Sequence, residues 1–384
     1  MKKTIYYWSP FLTKVGTVKS TLNSAISLAK FSNDYNVIIL NIFGEWTKYK
    51  NYLEKNGVKL KNLSFNYYNL LPKTGFFKSR FSYIVIILIS LFPFIFFLRK
   101  NKPNYLIAHL LTSLPIIFTN FINPKTRLIL RISGYPKLNF FRKNLWINSK
   151  KKLYRITCPT DELKKDLIEN NIFDIEKIET LPDAIINIQD FKIKKIIDKD
   201  SSNIEINHNY FLAAGRFTKQ KNFIYLIKEF KSFCLENPDE KLLIIGDGEE
   251  KDKMIEEIRK QNLSNNIFII NFTENIYYYM KKSKAFILSS LWEEVGFVIV
   301  EAALCNSFII SSNCKNGPKE FLSYGDAGLL YDSNISGKLS QKLKAFLKLD
   351  DKIIFKKKIK AKQNSLKYSL YRHFCRLIMI LESD

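Results

Sequence analysis

Short apolar runs, each followed by a helical pattern, recur along this chain, and that alternation restricts it to few folds. Thr4–Trp8 reads as a strand and Val18–Lys30 as a helix with apolar residues at Leu22, Ile26 and Ala29. Asn36–Asn41, Asn104–Ala108 and Arg127–Ile132 are near-continuous apolar segments, the pattern of strands covered on both faces. The series restarts at Tyr210–Ala214, followed by a helix over Asn222–Glu236 that ends before Pro238. Lys241–Ile245, Ile267–Asn271, Ala285–Leu288 and Phe308–Ser311 continue it as strands, with a helix over Glu249–Gln261. Strands alternating with helices predict parallel sheets, here an α/β chain of two Rossmann-like αβα domains facing across a cleft. The expected boundaries are a first domain over 1–190, a charged, aperiodic linker over 191–208, and a second domain over 209–365. A C-terminal helix over 366–384 is placed to pack back on the first domain.

The 384 residues carry 61 Lys plus Arg against 36 Asp plus Glu, a net charge of +25. Such an excess suits an anionic partner: nucleic acid, an acidic lipid surface or a phosphorylated substrate. Joint enrichment in Lys, Asn and Ile is also what an A/T-rich coding bias produces, so charge alone does not choose. Cys158, Cys234, Cys305, Cys314 and Cys375 form no C-x-x-C pair and no zinc spacing. An odd, scattered set reads as reduced thiols in a cytosolic compartment. Met1–Trp8 lacks the apolar core and cleavage site of a signal peptide.

Phe81–Leu98 holds no charged residue and is flanked by Lys78, Arg80, Arg99 and Lys100. Its length allows a membrane span. Pro93 interrupts it, and its place inside the first strand–helix series argues against crossing a bilayer. A buried helix or one partly inserted in the lipid interface remains, with cationic flanks suited to anionic headgroups.

Chemistry concentrates in the second half. In Ser290-Leu291-Trp292-Glu293-Glu294-Val295-Gly296-Phe297-Val298-Ile299-Val300-Glu301-Ala302, two carboxylates stand eight positions apart around a glycine. The spacing predicts Glu293 on a loop at the carboxyl end of a sheet, where open α/β sheets place ligands, and Glu301 in the following helix. Taken alone, paired acids also suit a solvated surface. Gly215-Arg216-Phe217-Thr218-Lys219-Gln220-Lys221-Asn222 follows the opening strand of the second domain. Arg216 supplies a fork of donors, Lys221 a point charge and the helix start free N–H groups, which together suit a diphosphate. Asn316-Gly317-Pro318-Lys319-Glu320 offers a further helix start. His109 ends the Asn104–Ala108 run, and a buried, hydrogen-bonded histidine is its alternative reading.

These segments resemble the donor domain of the family-four glycosyltransferases, retaining enzymes of the GT-B fold. Glu293 to Glu301 matches that family's E-x7-E motif, Gly215-Arg216 through Lys221 its basic loop, and Gly246-Asp247-Gly248-Glu249 its G-x-G-x turn. The likeness covers about residues 208–345 and is thinner over 1–190, where Gly16 alone stands for the usual glycine pair. Glu294 replaces a usual glycine and Val295 a common Phe. The resemblance implies that Glu301 accepts hydrogen bonds from the donor ribose, that Arg216 and Lys221 neutralise the departing diphosphate, and that Glu293 and His109 lie beside the donor sugar. It places Gly16, Gly246, Gly296, Phe297 and Val298 along the donor, while Arg131-Ile132-Ser133-Gly134, at the next strand end, is expected on the acceptor side. It implies an acceptor-binding, membrane-facing first domain and a nucleotide-sugar-binding second one. The reaction expected is transfer from a UDP- or GDP-sugar to a glycan or polyprenyl-linked acceptor in surface polysaccharide or lipopolysaccharide synthesis. No cofactor and no metal are expected, since no DxD stands at a strand end. The expected location is cytoplasmic, peripheral on the inner face of the plasma membrane, with an anionic membrane surface as partner.

Other classes fit less well. A dehydrogenase lacks its G-x-G-x-x-G and an NTPase its G-x-x-x-x-G-K-[ST]. A basic nucleic-acid-binding protein is the alternative from another class, but no RNA-binding or zinc motif occurs, and nucleic acid is not expected as a partner. A catalytically inactive sugar-nucleotide-binding relative is the third reading.

Overall fold

A computed structural model describes residues 2–13, 16–72, 76–110, 112–118, 125–134, 136, 138–196 and 209–383. The chain divides into two compact units, Met1–Ile185 with Leu370–Asp384, and Ile186–Ser369.

The first unit runs β1 (Lys3–Trp8), α1 (Gly16–Phe31), β2 (Tyr35–Asn41), α2 (Lys50–Lys55), β3 (Lys59–Asn62), α3 (Phe76–Lys100), β4 (Tyr105–His109), α4 (Ser113–Ile117), β5 (Arg127–Arg131), α5 (Phe140–Ser149), β6 (Leu153–Cys158), α6 (Asp161–Glu169) and β7 (Ile178–Thr180). Its seven strands are parallel in the order β3-β2-β1-β4-β5-β6-β7. Alternation along β1 builds two core layers. Tyr6 and Trp8 face Phe94 and Phe97 of α3, while Ile5 and Tyr7 join the apolar face of α1.

The second unit opens with α7 (Ile188–Ile196), then β8 (Phe211–Ala214), α8 (Phe223–Cys234), β9 (Leu242–Ile245), α9 (Lys251–Lys260), β10 (Ile267–Ile270), α10 (Ile276–Lys282), β11 (Ala285–Leu288), α11 (Phe297–Leu304), β12 (Phe308–Ser312), α12 (Pro318–Phe321), β13 (Leu329–Tyr331), α13 (Lys338–Leu347) and α14 (Asp351–Ser365). Its sheet is parallel in the order β10-β9-β8-β11-β12-β13. Burying a charge demands a partner, and Glu229 of α8 finds two. Its oxygens accept from the N–H groups of Gly337 (2.8 Å) and Ser340 (3.1 Å), capping the start of α13.

The final helix, α15 (Leu370–Glu382), belongs to the first unit and lies on α1. Its buried residues are Leu370, His373, Leu377, Ile380 and Leu381, an i, i+3, i+7, i+10, i+11 stripe. The segment expected as a linker differs. Residues 191–196 are helical within α7, and the Phe191 ring packs edge-on against Tyr277 at 5.3 Å. The remainder of that segment, 197–208, lies outside the described residues.

Phe81–Leu98 falls within α3. By length and hydropathy Phe81–Lys100 suffices to cross a membrane, but one face is built into the first unit. Ser82, Ile86, Ser90, Phe94 and Phe97 are buried, with Phe94 4.2 Å from Trp8 by ring centroids. A helix packed this way on β1 cannot also be encircled by lipid. The opposite stripe, Phe81, Ile84, Leu88, Phe92 and Phe96, is exposed.

Candidate active site

Both sheets place consecutive strands on opposite sides of their first strand, so each has a point where the winding reverses. Ligand crevices in open α/β sheets form there, beyond the carboxyl ends of the strands. In the second unit that point lies between β8 and β11. The loop leaving β8 carries Gly215, Arg216 and Lys221, and the loop leaving β11 carries Ser290 and Glu293.

These two loops are tied together. Leu291 N–H donates to the Gln220 carbonyl at 2.8 Å, and the Gln220 amide donates to the Trp292 carbonyl at 2.8 Å. Ser289 Oγ donates to the Lys221 carbonyl at 2.7 Å. The side chains complete the junction. Lys221 Nζ forms an ion pair with Glu293 Oε1, which also accepts from Ser290 Oγ at 2.5 Å. The pair is largely withdrawn from water, at 13% and 7% side-chain exposure. Arg216 is exposed on the same loop.

Glycine shapes the floor of the crevice. A Cβ on Gly246 would stand 1.9 Å from the Gly215 carbonyl oxygen, so the turns after β8 and β9 meet backbone to backbone. Phe217 N–H to Asp247 carbonyl (2.8 Å) and Glu250 N–H to Phe217 carbonyl (3.0 Å) stitch them. Gly296 adopts φ +79° at the start of α11, a conformation costly to side-chain-bearing residues, and lets the chain turn from the Glu293 loop into the helix. Phe297 and Val298 are half-buried in its first turn. Glu301, one turn on, is half-buried, and Tyr277 of α10 donates its hydroxyl to Glu301 Oε1 at 3.4 Å. Gly317 opens α12, which is only four residues long.

His109 and Arg131 lie in the first unit, and their surroundings differ. Thr21 Oγ spends its proton on the Thr17 carbonyl (3.1 Å), so His109 Nδ1–H donates to Thr21 Oγ at 2.7 Å. His109 Nε2 then accepts from the Ser133 hydroxyl. Burial, reinforced by the Arg131 charge, pushes this imidazole down to about 3. With both nitrogens engaged, His109 offers no free ring atom to a sugar in this structure. Arg131 donates to the Leu181 carbonyl (2.7 Å) and pairs with Asp183 (2.5 Å), both groups buried, so it is a structural tie here. Gly16 is exposed at the first residue of α1; Lys14 and Val15 lie outside the described residues.

Sequence reading missed Ser290, Gln220 and Tyr277. Ser290 opens the very segment that carries the carboxylates, and a hydroxyl three residues before a loop Glu was the available signal. Tyr277 sits in a Tyr-Tyr-Tyr run that reads as a plain apolar helix face.

Residues 194–366, which contain this entire constellation, match the family Glycosyl transferases group 1. The chain is 31% identical over 253 residues to an uncharacterized glycosyltransferase of Methanocaldococcus jannaschii, an alignment covering 59% of each chain. The chain thus spans less than two thirds of that relative's length. It is 27% identical over 274 residues to the N-acetylgalactosamine-N,N'-diacetylbacillosaminyl-diphospho-undecaprenol 4-alpha-N-acetylgalactosaminyltransferase of Campylobacter jejuni, covering 69% of this chain and 70% of that one. Anabaena HepE, solved with UDP and glucose, shares the fold with a TM-score of 0.73 at 14% identity, each chain covered in full. The fold is accordingly GT-B, α/β with two parallel sheets.

Proposed function

We propose that this chain is a glycosyltransferase that moves a sugar, with retention of anomeric configuration, from a nucleotide-diphosphate sugar to a lipid-linked or polymeric glycan acceptor in surface polysaccharide synthesis. The observation that carries this reading is the Lys221–Glu293 pair at the β8/β11 crevice, with exposed Arg216 beside it and Glu301 one turn along α11. Cleaving the anomeric bond leaves a diphosphate whose charge grows in the transition state. Fixed cations aimed at that charge lower the barrier without reorganising. An incoming diphosphate competes with Glu293 for Lys221, and the released carboxylate then faces the donor sugar. Glu301 receives the ribose hydroxyls. Among the described residues no three His, Cys, Asp or Glu side chains gather as a metal site, and Lys221 with Arg216 supplies the positive charge a metal gives elsewhere. The acceptor class follows the named activity of the Campylobacter relative, which acts on a diphospho-undecaprenol substrate.

The same reading places the enzyme peripherally on an anionic membrane face, at the inner surface of the plasma membrane. The exposed α3 stripe, with Phe92 at 76% exposure, and Phe141 of α5 at 82%, present aromatic side chains to solvent. Arg99, Lys100, Lys102, Arg142 and Lys143 are exposed near them in sequence. Inserted aromatic groups and basic residues together give the two contributions that hold peripheral proteins on acidic lipid.

The test is a panel of UDP-, GDP-, ADP- and dTDP-sugars offered to the purified protein with and without polyprenyl-diphosphate-linked acceptor. Sugar release or transfer from at least one donor, with the product's anomeric configuration matching the donor's by NMR, supports the reading. An inverted product overturns retention, and no turnover of any donor overturns the activity.

A further inference from the structure

Glu301 is the carboxylate that the proposed reaction uses to hold the donor's ribose, yet a glutamate on the first turns of a helix has several rotamers. Two ribose hydroxyls require both carboxylate oxygens to point one way, so something in the fold has to select the rotamer. Tyr277 reaches it. Its hydroxyl is 3.4 Å from Glu301 Oε1, and its ring lies edge-on to Phe191 of α7 with centroids 5.3 Å apart. The helices agree with this chain of contacts, since α10 packs on both α11 and α7. A half-buried phenol loses water and needs an acceptor. Burial, and then the neighbouring Glu301 carboxylate, hold the Tyr277 hydroxyl above the usual tyrosine range. It therefore stays a donor at neutral pH.

We propose that Tyr277 is a positioning residue for ribose recognition: its hydroxyl fixes the Glu301 carboxylate toward the nucleotide, and Phe191 fixes the Tyr277 ring. This rests on the reading of Glu301 as the ribose carboxylate. Tyr277 touches no reacting atom. It acts by keeping Glu301 in the binding rotamer before the nucleotide arrives, so that less ordering remains to be done on binding. The consequence is specific: losing the hydroxyl weakens binding of a nucleotide that has ribose hydroxyls and leaves one without them almost unchanged.

The experiment compares UDP and GDP with their 2′,3′-dideoxy forms by calorimetric titration of the full chain. The wild type is expected to bind the better ribonucleotide at least tenfold more tightly than its dideoxy form. Tyr277→Phe keeps the ring and removes one hydroxyl. Its ribo-to-dideoxy ratio should fall several-fold, with dideoxy affinity unchanged. In turnover, KM for the donor should rise while kcat stays within about twofold, as for lost uniform binding. A wild-type ratio near one sinks the ribose reading of Glu301 and this inference with it. A wild-type preference that Tyr277→Phe retains in full leaves that reading standing and overturns the inference alone. Should Tyr277→Phe fail to fold, Phe191→Leu takes its place: a lowered ratio supports the relay and an unchanged ratio overturns it.

Discussion

The two units share a winding, with their first four strands ordered 3-2-1-4, yet they finish their reversal points in opposite ways. In the first unit the polar groups around β1 and β4 satisfy one another, one buried ion pair among them. Tyr7 donates to Ser24 (3.0 Å), Ser24 to His373 Nε2 (2.8 Å), and His373 Nδ1 to the Pro182 carbonyl (2.7 Å). His109 sits between Thr21 and Ser133 in the same manner, and the Arg131–Asp183 pair seals the layer. A small internal cavity among Tyr7, Ser24, His109, Arg131 and His373 is what remains. In the second unit the corresponding point keeps a charged lysine and glutamate, with an exposed arginine beside them. The shared winding thus provides a reversal point in each sheet, and the side chains decide what it can bind. The first is a stability device held by α15, and the second is where an anionic ligand has charge to meet.

The largest effect expected from this contrast is on turnover. Glu301→Ala should cut transfer by two to three orders of magnitude, about 3–4 kcal/mol in the transition state, with little change in melting temperature. Lys221→Ala should lose comparable activity but also stability, by about 3 kcal/mol, because it strands the largely buried Glu293. Adding Glu293→Gln to Lys221→Ala should restore most of that stability and none of the activity. Thermal melts and initial rates on the single and double variants check this. Equal stability of Lys221→Ala and wild type would mean that the ion pair is not formed in solution.

The next effect is on pH. Burial holds His109 near 3 and His373 near 4, below the value of about 6.5 that a histidine has when unfolded. Between those values the unfolded chain binds protons that the folded chain refuses, so stability falls as pH falls. The contribution is complete above about pH 6.5 and declines toward pH 4, by about 3 kcal/mol for each histidine from linkage. Arg131 disfavours the charged imidazole at both sites, and Asp183 opposes it. His373→Gln can keep both hydrogen bonds without titrating, so its melting temperature should vary less across that window. A wild-type profile flat from pH 6.5 to 4.5 would contradict the neutral assignment.

Much of this fold was legible from residue pattern. Continuous apolar runs marked β1, β2, β4, β5 and β8 to β12 within a residue or two, because strands covered on both faces leave few polar positions. The strands β3, β6, β7 and β13 were not read: the first three mix charged residues into Lys59–Asn62, Leu153–Cys158 and Ile178–Thr180 toward the sheet margin, and β13, Leu329–Tyr331, is only three residues long at the edge of its sheet. The loop carboxylates and the basic loop were legible from spacing. Their pairing was not, since it takes the adjacency of β8 and β11 and the hydrogen bonds between their loops to bring residues 72 positions apart together. His109 was a site candidate on the family resemblance, with a buried, hydrogen-bonded histidine as its alternative, and the hydroxyls of Thr21 and Ser133 that engage its nitrogens come from elements no local pattern links to it.

Smaller effects concern the surroundings. Transfer should persist in excess EDTA at nearly its full rate, since Lys221 and Arg216 carry the charge. Loss of activity that magnesium or manganese restores would contradict this. Vesicle binding should be the most graded. Sedimentation with acidic phospholipid vesicles should exceed that with neutral ones and weaken with salt. Phe92→Asp with Phe96→Asp should release the protein further, whereas equal binding to both vesicle types would remove the membrane proposal.

The central claim is that the second unit's reversal point, and not the first's, receives the nucleotide. Amide hydrogen exchange with and without saturating UDP or GDP tests it most directly. The account predicts slowed exchange confined to residues 215–222, 289–301 and 276–279, with the amides around His109 and Ser133 unchanged. Protection that appears at the ends of β1 and β4 instead, with none at 215–222, would contradict it.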